Sequence, residues 1–446
     1  MFSRILIANR GEIAVRIIRA CRELGVQVVC IYSEADRDAP YLEFADDRVC
    51  IGPAAPMDSY LNIPRVISAA EVANVDAIHP GYGFLAENAH FAEICRSCQI
   101  EFIGPSPEAM SKLGDKINCK KLAKKSGVPI FPGSNDAVED KAEAAKLAEE
   151  IGYPVIIKAS AGGGGRGMRI AHNRVALEAG LDAARQEAWA AFGNEAVYLE
   201  KFLESARHVE VQVMGDKHGN AVHLYERDCS TQRRHQKLIE ESPAPGVDPK
   251  KRERLCESAA RLLREAEYAG AATVEFLMDG DQNFYMLEVN TRVQVEHPVT
   301  ELVTGVDIVR TGIRVAAGEV LPYSQKDIKL RGHSMECRIN AEDPERHFAP
   351  MPGTLKRFDI PGGPGVRVDT HCVQGYRIPP NYDSMIAKLL VHDDNRESVL
   401  RRMARALDEF HIEGIPTTIE LHKKLMKYKG FASAEMDIHY LEKMME

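Results

Sequence analysis

The sequence predicts an α/β and α+β chain. It has an N-terminal doubly wound parallel-sheet domain, a central region with a glycine-rich lid, and a C-terminal mixed β/α domain. Three observations carry this. "RILIANRGEIAVRIIRACRELGVQVVCIY" sets a helically spaced segment between two short apolar runs, a βαβ unit and hence a parallel sheet. "YPVIIKASAGGGGRGMRIA" places a glycine run between two strand-like stretches. "AATVEFLMDGDQNFYMLEVN" is a hairpin signal with Asp-Gly at its turn.

Taken in order, "ILIA" and "VQVVCIY" are the first strands, and Ile13, Ile17, Ile18 and Cys21 mark the helix between them. "VDAIHPGYGFLAEN" and "IEFIGPS" are further strand-to-loop passages, so residues 1–113 form the first domain. Ligands of such sheets sit beyond the carboxyl ends of the strands, where these loops lie. Residues 114–330 begin with a basic helix, whose Lys120, Lys121, Lys124 and Lys125 read as a solvated face. A lid of about 130–203 follows, with a helix before its strand, glycine run and strand. "HVEVQVMGD" and "AVHLYERDCS" are strands, and a helix over 250–268 precedes the hairpin. From 331 to 446, short strands such as "MECRINA" and "MIAKLLVH" give way to helices such as "RESVLRRMARALDEF".

Composition excludes several classes. Apolar residues make up 45% and charged residues 28% of the 446, an ordinary globular balance. The net charge of −9 argues against nucleic acid as the main partner. No apolar run approaches the ~18 residues of a membrane span. "MFSRILIANR" lacks the apolar stretch of a secretory signal, so the cytoplasm is the expected compartment. Ten dispersed cysteines do not suggest a disulfide scaffold, and the CxxC of Cys95 and Cys98 reads as two thiols on a helix.

"EVNTRVQVEHPV", residues 288–299, alternates with period two. As a strand it aligns Glu288, Asn290, Arg292, Gln294 and Glu296 on one face. With Gly280 and Asp281 at the hairpin tip, Glu275 faces Met286, and Glu288 lies diagonal to Glu275. Glu275, Glu288 and Asn290 then form an all-oxygen set suited to Mg²⁺ with phosphate. On spacing alone, a solvated polar sheet face accounts for the same residues. Gly162 to Gly165 and Gly167 expose backbone N–H groups suited to a phosphate cradle, with Lys158 and Lys116 as charge partners.

Together these stretches resemble the ATP-grasp fold of the biotin-dependent carboxylases. "IANRGEIAVRIIRA", "IHPGYGFLAEN", "ERDCSTQRRHQK" and "ECRINAEDP" resemble further blocks of that family in the same order, out to "DIHYLEKM". The resemblance implies an ATP-dependent ligase that carboxylates biotin with bicarbonate through carboxyphosphate, as the first half-reaction of acetyl-CoA carboxylase in fatty acid synthesis. It implies ATP, Mg²⁺ or Mn²⁺, and biotin attached to a separate carrier protein rather than to this chain. Carboxyltransferase subunits are implied as further partners, with a likeness to homodimers and no role for nucleic acid or membrane.

Residue by residue, the resemblance assigns ATP contacts to Lys116, Lys158, Gly164, Gly165, Glu200, Lys201, Phe202, Leu203, His208 and His235, and metal ligation to Glu275, Glu288 and Asn290. Lys237, Arg292, Gln294, Val295 and Glu296 fall in the bicarbonate pocket, with Glu296 as general base. Arg338 stabilises the biotin enolate, and Tyr82 and Gln232 line the biotin or nucleotide side. Lys237, Arg292, Glu296 and Arg338 make the catalytic set. The family also leaves open another ATP-grasp ligase, which "RVQVEH" and Arg338 disfavour, and a nucleotide-sensing module without turnover.

Overall fold

Five parallel strands open the structure, a computed structural model that describes residues 1–134, 136–159 and 168–445; the side chains of residues 116, 117, 191 and 192 also lie outside it. The strand order is Asp47–Cys50, Gln27–Tyr32, Arg4–Ile7, Ala77–His79, Glu101–Phe102. The chain runs outward from Arg4–Ile7 in one direction and then restarts on its other side. Loops after Arg4–Ile7 and Ala77–His79 therefore diverge at a switch point, where such sheets hold ligands. Asn9 ties them together: its Nδ2 donates to the carbonyls of Pro80 and Tyr82, each at 2.7 Å. Gly81 is left-handed at φ +63°, and a Cβ there would lie 2.9 Å from Asn9 Nδ2, so glycine is required.

The central and C-terminal regions share one eight-stranded sheet. Its order is Phe284–Asn290, Gly270–Met278, Arg207–Gly215, Ala221–Arg233, Gln236–Ser242, His333–Asn340, Met385–Asp393, Val366–Thr370, with antiparallel pairing throughout. Gln236–Ser242 pairs with His333–Asn340, so the sheet continues across residue 331. Alternation in "HVEVQV" separates its faces. Val209, Val211 and Val213 enter a core with Leu255, Leu262, Val274 and Phe276, against the helix Pro249–Glu265. His208, Glu210 and Gln212 take the opposite face.

A separate antiparallel sheet of Arg169–Ala171, Val155–Ala159 and Val197–Lys201 packs with the helices Lys141–Ile151 and Arg174–Phe192 around its own small core. No described helix is long and apolar enough to cross a membrane.

The expected strand over 288–299 ends at Asn290. Residues 291–296 form an irregular turn, and a helix, His297–Thr304, begins with Pro298 in its first turn. Proline is favoured there because its missing N–H has no intrahelical partner to lose. The alternation in "NTRVQVE" thus reports burial on both sides of a loop rather than a ladder.

Candidate active site

The hairpin register differs from the expected one in a way that matters. Asp279 brackets a longer tip, accepting from the backbone N–H groups of Asp281 and Asn283, and Gln282 takes φ +56°. A bulge at Leu287 then shifts the pairing, so Phe276 faces Met286 while Glu275 faces Glu288 directly, not diagonally. The same row continues across the sheet: Glu275 opposes Glu210, and Glu210 opposes Arg227. Like charges directly opposed destabilise a sheet unless a cation lies between them. Arg227, fully buried, supplies one at the far end, donating Nε to Glu210 Oε1 at 2.6 Å and Nη1 to Gln212 Oε1 at 2.7 Å.

Lys237 is the hub. Its Nζ donates to Glu210 Oε2 at 2.6 Å, Glu275 Oε1 at 3.0 Å, Glu296 Oε1 at 2.6 Å and Gln294 Oε1 at 3.2 Å. Burial opposes its charge, yet the three carboxylates hold its pKa well above the ordinary value. Burial would likewise raise the Glu296 carboxyl, but Lys237, Arg338 and Arg227 outweigh it and keep Glu296 well below the usual range. Glu275 follows the same pattern under Lys237 and His208. His208 Nε2 lies 3.2 Å from Glu275 Oε2, and that carboxylate keeps the imidazolium favoured against burial. Arg338 spans two carboxylates, Nε to Glu240 Oε1 at 2.6 Å and Nη2 to Glu296 Oε2 at 2.9 Å. One ionised carboxylate is thereby aimed by two cations from different strands.

Gln294 Nε2 donates to Glu275 Oε1 at 2.9 Å and Asn290 Nδ2 to the same oxygen at 3.0 Å. Asn290 Oδ1 accepts from Arg292 Nη2 at 3.2 Å, so its oxygen faces Arg292 rather than the carboxylates. Arg292 is anchored by Glu87, which accepts from its Nε at 3.0 Å and from the Thr291 N–H at 3.1 Å. The carbonyl of Val295 accepts from Lys388 Nζ at 2.9 Å. Lys388 also meets Glu12 Oε2 at 3.1 Å, and Glu12 Oε1 accepts from the Tyr82 hydroxyl. Tyr82, from the switch-point loop, is thereby tied to the Glu296 turn.

The residues expected to contact a nucleotide are less concentrated. Glu200, buried, accepts from Lys158 at 2.5 Å and from Lys120. Lys120 also stands 4.2 Å above the Tyr198 ring, so it is not the solvated lysine expected. With its carboxylate bound to two lysines, Glu200 has little side-chain capacity left for a base. Lys201 Nζ donates to the carbonyls of Gly152 and Tyr153, both at 3.0 Å, and its N–H to Pro132 O. The Phe202 N–H donates to Pro154 O at 3.1 Å, and Leu203 is half-buried beside it. His235 sits exposed in the turn between Ala221–Arg233 and Gln236–Ser242 at φ +66°, apart from the buried cluster, while Gln232 is buried opposite Lys237. Gly164, Gly165 and the Lys116 side chain lie outside the described residues.

Sequence reasoning missed Glu210, Glu87, Glu12, Lys388 and Glu240, and read Arg227 only as part of the basic block "ERDCSTQRRHQK". Only Glu210 had a local signal, the alternation of "HVEVQV"; the others become functional through contacts far along the chain. Cys229 is fully buried, and burial pushes its thiol well above its ordinary pKa, so it is no thiolate. The directly opposed Glu275 and Glu288 offer only oxygen, the donor type of a hard divalent cation. Asn290 would join such a cation with its amide turned over.

Comparison with known proteins assigns the chain to a family. Residues 1–110 match the family described as biotin carboxylase, N-terminal domain. Residues 115–324 match the carbamoyl-phosphate synthase L chain, ATP binding domain, and residues 336–443 the biotin carboxylase C-terminal domain. The biotin carboxylase of Allochromatium vinosum is 55% identical over 446 residues, covering 100% of this chain and 99% of that one. A biotin carboxylase–β-γ-ATP complex from Campylobacter jejuni superposes with a TM-score of 0.94 at 51% identity, covering 99% of each chain. The biotin carboxylase domain dimer of Hydrogenobacter thermophilus 2-oxoglutarate carboxylase, with MgADP, ADP and bicarbonate, gives 0.92 at 50% identity, covering 99% of this chain and 98% of that one.

Proposed function

This chain belongs to the biotin carboxylase family and carboxylates biotin at the expense of ATP, and on that premise we propose that Lys237, Arg292, Glu296 and Arg338 carry the reaction. The observation that supports this most is a single carboxylate, Glu296, buried and held from opposite sides by Lys237 and Arg338. Bicarbonate binds between Arg292 and Lys237, with Gln294 and the Val295 backbone beside it. Arg292 has the planar fork that matches an oxyanion, and Glu87 fixes its direction. Glu296 takes the bicarbonate proton as its oxygen attacks the γ-phosphate of ATP. The products are carboxyphosphate and ADP, and carboxyphosphate then yields CO₂ and phosphate. Glu296 is a weak base at rest because two cations surround it; bicarbonate bound to the same cations weakens their hold on the carboxylate.

The phosphate released from carboxyphosphate takes the N1 proton of biotin, Arg338 steadies the resulting enolate, and its N1 attacks the CO₂. A guanidinium suits this because it does not surrender its proton. Tyr82, tied through Glu12 and Lys388 to the Val295 carbonyl, lines the biotin side. Lys158 and His208 bind the phosphates, and Glu200 to Leu203 read the base through their backbone. Mg²⁺ or Mn²⁺ at Glu275, Glu288 and Asn290 neutralises the phosphate charge when bound. Biotin comes on a carrier protein and leaves for carboxyltransferase subunits. We propose acetyl-CoA carboxylase as that system, in a homodimer like the one described for the 2-oxoglutarate carboxylase relative. Ten unpaired cysteines support the reducing cytoplasm as its setting.

The test is ADP release, with isotopic carbon from bicarbonate followed onto free biotin. Bicarbonate-dependent release stimulated by biotin, with label on biotin, is expected; ADP formation indifferent to both compounds would defeat the reading. Capture of the biotinylated protein that binds this chain, followed by assay for malonyl-CoA, tests the acetyl-CoA assignment.

A further inference from the structure

Behind Arg338 lies a second pair of acids that the proposed reaction does not use. Glu240 and Glu336 are directly opposed partners on the adjacent strands Gln236–Ser242 and His333–Asn340, and both are fully buried. Glu240 Oε1 accepts from Arg338. Its Oε2 and both oxygens of Glu336 have no donor among the described residues.

The surrounding charges are already engaged. From His333–Asn340, Arg338 divides its fork between Glu240 and Glu296. From Met385–Asp393, Lys388 stands opposite Arg338 but spends its ammonium on the Val295 carbonyl and Glu12. Asp369, on Val366–Thr370, is opposite Lys388 and bonded to Arg367. Lys237 reaches Glu296 rather than either acid. The helix His297–Thr304 contributes His297, whose pKa is driven well below its ordinary value by burial and by Lys388, leaving it neutral. Cys229 and Cys337 are buried thiols, and Glu241, His333 and Arg396 form a separate ion cluster.

We propose that Glu240 and Glu336 share one proton in the resting enzyme and, by remaining a single charge between them, leave Arg338 free to hold Glu296. Two carboxylates at one buried site without a second cation cannot both ionise, and their titration belongs to the pair. Burial raises the Glu240 carboxyl to about 7, and burial with Glu240 and Glu296 raises Glu336 well above the ordinary range despite Lys388. When the shared proton leaves at high pH, a doubly charged pair competes with Glu296 for Arg338. Glu240 and Glu336 are therefore positioning residues, and their effect on turnover rests on the role given to Arg338 above.

Infrared difference spectra and pH–rate profiles test this. The wild type at neutral pH should show a protonated-carboxyl band that Glu336→Gln removes. Biotin carboxylation by the wild type should fall on the basic side by up to about tenfold per pH unit. In Glu336→Gln that limb should move away or vanish while the acid limb stays. A wild type without the band, or a variant keeping both band and basic limb, overturns the proposal. The wild-type spectrum needs neither a folded variant nor turnover, so a missing band rejects the shared proton even where the carboxylase reading fails.

Discussion

Replacing Lys237 by methionine removes one cation from among Glu210, Glu275 and Glu296, with contacts of 2.6, 3.0 and 2.6 Å. At about 3 Å and an effective dielectric of ~20, each contact has a gross Coulomb energy of roughly 5–6 kcal/mol. Desolvation of the ammonium cancels much of this, and breaking a buried pair typically costs about 3–5 kcal/mol net. That is the loss expected near pH 8. The pH dependence is more diagnostic. In the wild type, Glu275 and Glu296 sit well below the ordinary carboxylate range. Their contribution is therefore present above the unfolded value of about 4.3, is lost only as pH falls through the folded values, and is level between about pH 8 and pH 6; the raised Glu240 and Glu336 titrate in wild type and variant both, so the diagnostic quantity is the difference between the two curves. Without Lys237, burial and mutual repulsion raise these carboxyls. A raised acid destabilises as pH rises through its folded value, so the variant should recover up to about 1.4 kcal/mol per pH unit on acidification. Urea unfolding followed by far-ultraviolet circular dichroism at several pH values measures this. Parallel wild-type and variant curves between pH 6 and 8, or a loss under about 1 kcal/mol, would refute the hub assignment.

Arg338→Lys should lose biotin carboxylation more than bicarbonate-dependent ATP cleavage, because an ammonium can give up its proton beside the enolate whereas Lys237 still holds Glu296; equal losses in the two assays would argue against an enolate-specific role. Glu87→Gln removes a charge-assisted anchor of Arg292, a change of about 1.5 kcal/mol that should raise the KM for bicarbonate roughly tenfold with little change for ATP. Steady-state kinetics with each substrate varied decides it. Glu241 is bonded to His333 and Arg396, which overcome burial and hold its pKa at about 2. Its stabilisation, about 3 kcal/mol, should be full above pH ~5 and fade as pH falls toward 2. The stability gap between wild type and Glu241→Gln should therefore shrink on acidification, read from unfolding midpoints.

The parallel N-terminal sheet was legible because "ILIA", helix and "VQVVCIY" follow one another closely and need no distant partner. Glu275, Glu288 and Glu296 were legible as acids within a single recognisable stretch. Their exact relation was not. The bulge at Leu287 depends on how Phe284–Asn290 meets Gly270–Met278, and one residue of slip converts a diagonal pair into an opposed one. The loop 291–296 kept a strand's alternation because Val293, Gln294 and Glu296 are all buried, apolar and polar sides alike. Lys120 was read as solvated because nothing near it in sequence shows that Glu200 and Tyr198 stand beside it. Glu12, Lys388 and Glu240 had no signal at all, since each acquires its role through a contact separated by most of a domain or more.

The most direct measurement is bicarbonate- and biotin-dependent ADP release by Glu296→Gln, beside calorimetric binding of ATP to the same variant. Loss of about 100-fold or more in turnover, with ATP affinity held within roughly twofold, is the result expected of a proton acceptor poised between Lys237 and Arg338. Turnover within about tenfold of the wild type would contradict it and move the base elsewhere in the site.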